Sequence, residues 1–434
     1  PPQGHIRESP RIARLPRQLS AGSSAVKLNI LMNAGPWLAV PPVGYGGIEN
    51  VVATLVPELR ERGHRVALAS VAESSLPVDD LVFAFQTGQF PSLAAPYNAS
   101  CGIAAAHLQA VVRAVRVARD AGRPFDLIHD HMEVLGPAML GALGDGPPVL
   151  QTLHWDLGKH RDFYGAFDGL GRVFFAGVSQ SQIDRAPANL AAQTIGYVPL
   201  AVAQTELPPA GPFEREDHLL VLGRITPLKG CEVAIRLCRD RGLRLVLAGP
   251  VGGLPDAAAL DAALADPDSR VHGYPDVRYF LDEIAPHLDG DRIRWIGSVS
   301  GPAKDDLIRR ARAVLFPLQW EEPGGTAMVE ALSLGTPVVG LARGVFPSLV
   351  EHGVTGWIAD SELELAGFLD RIDELDPAAC QRVARQRFSP PTMAAAYESM
   401  YLDVLARAGG SGASSGIGVE HSRQDMASAL AQLR

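Results

Sequence analysis

"AVLFPLQWEEPGGTAMVEALSLGTPVVGL", residues 313–341, contains one complete strand–helix–strand unit. "AVLFP" (313–317) is a short apolar run, and "LQWEEPGG" breaks it with a loop. "TAMVEALSLG" has helical apolar spacing and stops near Gly335, with Pro337 just beyond. "PVVGL" (337–341) is a second apolar run rich in β-branched residues. Strand, helix and strand in such close succession predict a parallel pair joined by a right-handed crossover.

The same grammar extends in both directions. Upstream lie the strand candidates "KLNILMN" (27–33), "RVALAS" (65–70), "FDLIHD" (125–130), "PVLQTL" (148–153) and "VFFAGVS" (173–179). A second series holds "HLLVLGR" (218–224), "LRLVLAG" (243–249), "RIRWIGS" (292–298) and the two runs quoted above. Continuous Val, Leu and Ile suit strands covered on both faces. Between the series, "AVAQTELPPAGPFERED" (201–217) is rich in Pro and charge and reads as a linker. The expected fold is α/β: two doubly wound domains facing each other across a cleft, with ligands at the carboxyl ends of the strands.

Composition narrows the classes. A chain of 434 residues with 47% hydrophobic content supports two filled cores. Net charge of -9 and a pI near 5.8 give no nucleic-acid footprint. No apolar run reaches the roughly 18–20 residues that span a bilayer. Peripheral membrane contact stays open. Cys101, Cys231, Cys238 and Cys380 lack metal-ligand spacing and suit a reducing, cytoplasmic compartment. The first 26 residues lack a secretory apolar region and read as a flexible tail.

Glu322 and Glu330 flank a helix start entered through Gly324 and Gly325. Free amides and the helix dipole make that start an anion seat. A nucleoside-diphosphate sugar would place its diphosphate on Gly324, Gly325 and Thr326. Glu322 would then accept from sugar hydroxyls and Glu330 from ribose hydroxyls. Taken singly, each acid is as readily a loop or surface residue. "LGRITPLKG" (222–230) adds Arg224 and Lys229 at a strand's carboxyl end, where two cations can clamp a diphosphate and stabilise a leaving phosphate. "PPVGYGGIEN" (41–50) is a glycine-rich loop that lets backbone approach a ligand, without a full G-x-G-x-x-G fingerprint. "TLHWDLG" (152–158) sets His154 just past a strand end, and "LIHDH" (127–131) sets His129, Asp130 and His131 at another. Three such neighbours cannot all point one way from a strand, so no metal site is expected.

Together, "PPVGYGGIE", "GRITPLKG", "EEPGGTAMVEALSLGTPVV" and "VEHGVTGWIA" (350–359) resemble the retaining glycosyltransferases of family 4, with the GT-B fold. The resemblance covers roughly residues 27–405. It implies that Arg224 and Lys229 bind the donor diphosphate, that Glu322 contacts the donor sugar, and that Glu330 contacts the ribose. Gly46 and Gly47 would border the diphosphate and sugar from the opposite domain. His154 would touch the sugar near the reacting centre, and main chain at Val299 would meet the base. His154, Arg224, Lys229 and Glu322 form the implied catalytic set. No metal or other cofactor is implied, the nucleotide sugar being a co-substrate with a UDP-sugar favoured. Configuration would be retained by front-face attack, with the leaving phosphate taking the proton of a hydroxyl acceptor, a soluble small molecule or glycan.

The implied organisation is an acceptor-side domain at 27–203, a linker at 204–217 and a nucleotide-sugar domain at 218–388. A helix at 389–408 would return to the first domain, followed by a flexible tail at 409–434. Two departures bear on the donor sugar: Gly324 and Ser348 stand where the family commonly has an aromatic residue and an acid. Three other readings stay open: a nucleotide-sugar epimerase, a non-catalytic GT-B partner protein and a dinucleotide enzyme. The last is disfavoured because no acid ends the second strand.

Overall fold

The computed structural model describes residues 26–44, 46–94, 97–202 and 215–414. The expected N-terminal tail before Val26, the linker before Arg215 and the tail beyond Ser414 lie outside the described residues.

The first sheet has seven parallel strands: β1 (Asn29–Asn33), β2 (Arg65–Ser70), β3 (Asp80–Phe83), β4 (Leu127–Asp130), β5 (Val149–Thr152), β6 (Val173–Gly177) and β7 (Thr194–Tyr197). Their spatial order is β3-β2-β1-β4-β5-β6-β7. The second sheet has six: β8 (His218–Leu222), β9 (Arg244–Ala248), β10 (Ile293–Trp295), β11 (Ala313–Phe316), β12 (Val338–Leu341) and β13 (Gly356–Ala359). Their order is β10-β9-β8-β11-β12-β13, again all parallel. In each sheet the order reverses beside the first strand, which opens the crevice where ligands of such folds sit.

Each sheet is buried on both faces. In the first, Ile30, Met32, Val66 and Leu68 face one apolar cluster, while Leu31, Ala67, Ala69 and Ile128 face another. The second divides likewise, with Leu219, Val221, Leu245 and Leu247 on one side and Leu220, Val246 and Ala248 on the other. Cys231 and Cys238 belong to that core, where burial pushes each thiol up to about 12.

Three strands, β3, β7 and β13, were not expected, and all three are sheet edges. The residues of β3 and β7 are half-buried or exposed, so they lack the apolar run that marks a central strand.

Helix Tyr97–Asp120 bears on the membrane reading, although Arg113, Arg116 and Arg119 interrupt it. Its Asn98–Asp120 portion is long and apolar enough by length and composition to cross a membrane. Much of that apolarity serves the first domain, since Ala104, Leu108, Val111, Val112 and Val115 pack on the sheet.

The last helix, Pro390–Ser414, lies on the first domain. Met393, Ala394, Tyr397, Tyr401 and Val404 join its core, and Glu398 meets His64 at 3.2 Å. The helix continues through the glycine-rich stretch at 409–414, which was expected to belong to the flexible tail. Each glycine costs only about 1 kcal/mol relative to Ala once a helix is propagating.

Candidate active site

Sheet pairing assembles the cationic end of the site. β8 and β11 are neighbours, so the loops that leave their carboxyl ends emerge side by side. The first loop ends in a short turn, Pro227–Lys229, closed by Gly230 at φ 66°. Gly230 serves both backbone and packing: a Cβ there would lie 2.0 Å from the Pro317 carbonyl oxygen at the end of β11. The Gln319 amide also donates to the Leu228 carbonyl at 3.0 Å. With the loops fastened, Lys229 Nζ donates to Glu322 Oε2 at 2.5 Å and stands 5.4 Å from the Trp320 ring centre. Both partners are mostly buried, with side chains 22% and 14% exposed.

Glu322 is held on its other flank. Its carbonyl accepts from the Val345 amide at 2.8 Å. The neighbouring Glu321 carboxylate accepts from the Gly344 amide at 2.5 Å.

Helix Thr326–Ser333 starts at Gly325, which has φ 66°. Its first amides have no acceptor inside the helix. Gly325 has no room for a side chain, since a Cβ would fall within 2.9 Å of Leu349, Met328 and Val345. Gly324 is buried against the other domain: a Cβ would stand 2.7 Å from Leu200 and 3.4 Å from Val178. The Ser179 hydroxyl donates to the Pro323 carbonyl at 2.7 Å, and Arg185 donates to the Glu321 carbonyl at 3.2 Å. The loop between the two glutamates is thus also a contact between the domains.

Glu330, five residues into that helix, accepts from Lys304 Nζ at 2.7 Å. Lys304 lies on helix Gly301–Arg310, just after half-buried Val299. Arg224 is more exposed and only 4.0 Å from Asp276. A pair so long and wet holds it weakly and leaves it free to turn.

The other domain contributes neutral groups. Gly46 is buried at the start of helix Gly47–Glu61, where a Cβ would meet Pro42 at 2.5 Å, whereas Gly47 faces open space. Glu49, one turn in, is buried, and desolvation raises its carboxyl above the usual range. His154 follows β5 and is half-buried. Its Nε2 lies 2.8 Å from His131 Nδ1, and the two rings stack. Burial pushes His154 down to about 4, so it is uncharged at neutral pH.

"LIHDH" divides as strand alternation requires. Asp130 accepts from Asn33 at 2.7 Å and from Gln151 at 3.1 Å, and burial raises it to about 7. His129 and His131 lie together with ring centres 4.3 Å apart. Among the described residues no group of three His, Cys, Asp or Glu side chains is placed to hold a metal ion.

The structure therefore brings Lys229, Glu322, Gly324, Gly325, Thr326 and Glu330 to one pole, while His154 stands in the other domain with Gly46 and Gly47. Sequence reasoning missed Lys304, Trp320, Arg185 and the tie from His131 to His154. Trp320, adjacent to Glu321 in "LQWEEPGG", carried the nearest thing to a signal.

The chain resembles known glycosyltransferases in sequence and in fold. Residues 45–192 match the model described as Glycosyltransferase Family 4, and residues 203–382 match Glycosyl transferases group 1. D-inositol 3-phosphate glycosyltransferase of Mycolicibacterium smegmatis is 30% identical over 169 residues, 38% of this chain and 34% of that protein. The Mycobacterium tuberculosis counterpart is 31% identical over 161 residues, 37% of this chain and 29% of that protein. The match thus spans about a third of these curated relatives. AviGT4, a glycosyltransferase involved in avilamycin A biosynthesis, has a TM-score of 0.57 at 25% identity, covering 87% of this chain and 98% of its own. Sucrose-phosphate synthase of Thermosynechococcus elongatus shares the fold at TM-score 0.64 and 18% identity, covering 88% of this chain and all of its own. So does Anabaena HepE in complex with UDP and glucose, at 0.58 and 16%, covering 87% of this chain and all of its own.

Proposed function

Because the chain belongs to the family 4 glycosyltransferases of GT-B fold, we propose that it is a retaining, metal-independent hexosyltransferase acting in the cytoplasm. The donor is a nucleoside-diphosphate sugar, a UDP-sugar by preference, and the acceptor is a hydroxyl of a small molecule or glycan. The observation that carries this reading is the Lys229–Glu322 pair beside the start of helix Thr326–Ser333. Lys229 suits a diphosphate, Glu322 a sugar hydroxyl and the free helix amides an anion, all within one short span.

On this reading the diphosphate lies on the amides of Gly324, Gly325 and Thr326, with Lys229 and a reoriented Arg224 against its oxygens. Glu322 accepts from sugar hydroxyls and Glu330 from the ribose. The base meets main chain near Val299. Gly46 and Gly47 close over the diphosphate, and His154 meets the sugar. The acceptor oxygen attacks the anomeric carbon on the face the diphosphate leaves. Its proton passes to the departing phosphate oxygen, so the carbon–oxygen bond to phosphate is exchanged for one to the acceptor. Lys229 and Arg224 match the charge that grows on the phosphate, the part otherwise given to a metal ion. The mycobacterial relatives' name adds a polyol phosphate to the acceptors worth screening.

The test is turnover of UDP-hexoses in excess EDTA, with the product's anomeric configuration read by proton NMR. Turnover with retained configuration is expected. Strict dependence on added magnesium or manganese, or an inverted product, would overturn the corresponding part of the reading.

A further inference from the structure

We propose that His131 is a positioning residue that holds His154 as its Nε2-protonated neutral tautomer, leaving the His154 Nδ1 lone pair to accept from a substrate hydroxyl. The last clause rests on the placement of His154 at the donor sugar.

His131 is 1% exposed, and its Nε2 lies 3.2 Å from Met32 Sδ. A thioether has no hydrogen to give, so the proton of that contact belongs to His131 Nε2. A neutral imidazole carries one N–H, so His131 Nδ1 is bare and accepts. The atom 2.8 Å away, His154 Nε2, must therefore donate. Neutral His154 then has no proton on Nδ1. The reverse arrangement would face the His131 Nε2 lone pair toward sulfur lone pairs, leaving a buried acceptor without a donor.

Neutrality follows from the surroundings. His129, His131 and His154 form a run of rings with centres 4.3 and 5.1 Å apart, and no carboxylate is hydrogen-bonded to any of them among the described residues. Burial pushes His129 down to about 3 and His131 well below its ordinary value. The far end of the run is anchored. His129 Nδ1 meets the Tyr401 hydroxyl at 2.8 Å, and its Nε2 meets the Thr152 hydroxyl at 2.8 Å. Tyr397 approaches the same Thr152 oxygen at 3.1 Å. Helix Pro390–Ser414 thus braces the ring that backs His131.

The experiment is a two-bond proton–nitrogen spectrum of the full chain, labelled with 15N-histidine, at pH 7. His154 is expected with Nε2 protonated and Nδ1 bare. A protonated Nδ1, or a doubly protonated ring, would overturn the proposal. His131→Asn, whose amide oxygen can replace Nδ1 as acceptor, should keep the tautomer. His131→Leu should release it into exchange. In turnover of a UDP-hexose, His131→Leu should lose about tenfold in kcat/KM, whereas His131→Asn should stay within about threefold. UDP, which lacks the sugar, should bind both variants as it binds the wild type. An equal loss of UDP affinity in His131→Leu would show a general structural role and sink the proposal. Failure of every donor to turn over would count against the functional reading instead, and the His154 spectrum would still decide the tautomer.

Discussion

The two poles of the cleft solve different electrostatic problems. At the carboxyl end of the second sheet, charge faces charge: Lys229 meets Glu322, Lys304 meets Glu330, and Arg224 stands free enough to turn. At the carboxyl end of the first sheet, the rings of His129, His131 and His154 are neutral and linked by hydrogen bonds and ring contacts, while the ion pairs of the same loops, Lys159 with Glu133 and Arg185 with Asp156, are more exposed. A nucleotide sugar has the same division, with an anionic diphosphate and a hydroxyl-bearing neutral sugar. On the proposed function, each pole resembles in polarity the part of the ligand it meets. The charged pole is made of side chains that a ligand can re-pair. The neutral pole is pre-set, since its partners sit in the core.

The largest effect that would sharpen this contrast is expected at Lys229. Its interaction with the diphosphate strengthens as the leaving group gains charge, so Lys229→Ala should lower kcat by roughly two to three orders of magnitude. Steady-state kinetics with a UDP-hexose checks this. Normal kcat with only weaker donor binding would remove Lys229 as leaving-group stabiliser.

Glu330 should behave differently within the same pole. The ribose is remote from the breaking bond, so its contact is alike in the ground and transition states. Glu330→Ala should raise the donor KM by roughly ten- to hundredfold at nearly constant kcat. The unpaired Lys304 left behind is also part of that change, and the double variant with Lys304→Met would separate the two contributions.

At the neutral pole, Tyr401→Phe removes a hydroxyl from buried His129 and should cost about 1–3 kcal/mol of stability, read by denaturant unfolding. Wild-type activity and stability after this change would mean that the Tyr401 hydroxyl contributes nothing to the site.

The pH dependence is a further way to break the comparison. His107 and His154 are pushed down to about 4 and His129 to about 3, from an ordinary value of 6.5. Between those values the unfolded chain binds protons that the folded chain refuses. Their contribution to stability is therefore full above 6.5 and is lost as pH falls toward about 4. Asp130 works the other way: raised to about 7, it loses stability as pH climbs from 3.8. The strongly lowered histidines outnumber the raised carboxyls Asp130 and Glu49 that work against them, so unfolding free energy should decline on acidification from pH 6.5 to 4.5. A rise over that interval would show that the raised carboxyls dominate.

The two poles also differ in how far the sequence exposed them. The charged pole is local: Glu322, Gly324, Gly325 and Glu330 lie in one stretch, and Lys229 lies in a second short motif. Such spacing survives without knowledge of the fold. The neutral pole depends on contacts that no spacing encodes. Tyr401 reaches His129 across 272 positions, and His154 reaches His131 through the pairing of β4 with β5. The same physics explains the missed strands, since edge positions such as those of β3 and β7 are only partly buried and carry no continuous apolar run. Lys304 escaped notice because a lysine on an amphipathic helix looks like any solvated cation until the partner helix is placed.

Thermal unfolding with a panel of nucleoside diphosphates, nucleotide sugars and free hexoses tests the division of the cleft most directly. A ligand held by the native state alone, at a hundred times its Kd, adds about 2.7 kcal/mol of stability. A nucleoside diphosphate should raise the Tm, its matching sugar nucleotide should raise it too, and the free sugar alone should do little. With Lys229→Ala and Arg224→Ala combined, the nucleoside-diphosphate shift should shrink sharply, and with His154→Ala it should persist. A panel in which no nucleotide moves the Tm, or in which His154→Ala abolishes the nucleoside-diphosphate shift while the Lys229 and Arg224 changes leave it intact, would contradict the account.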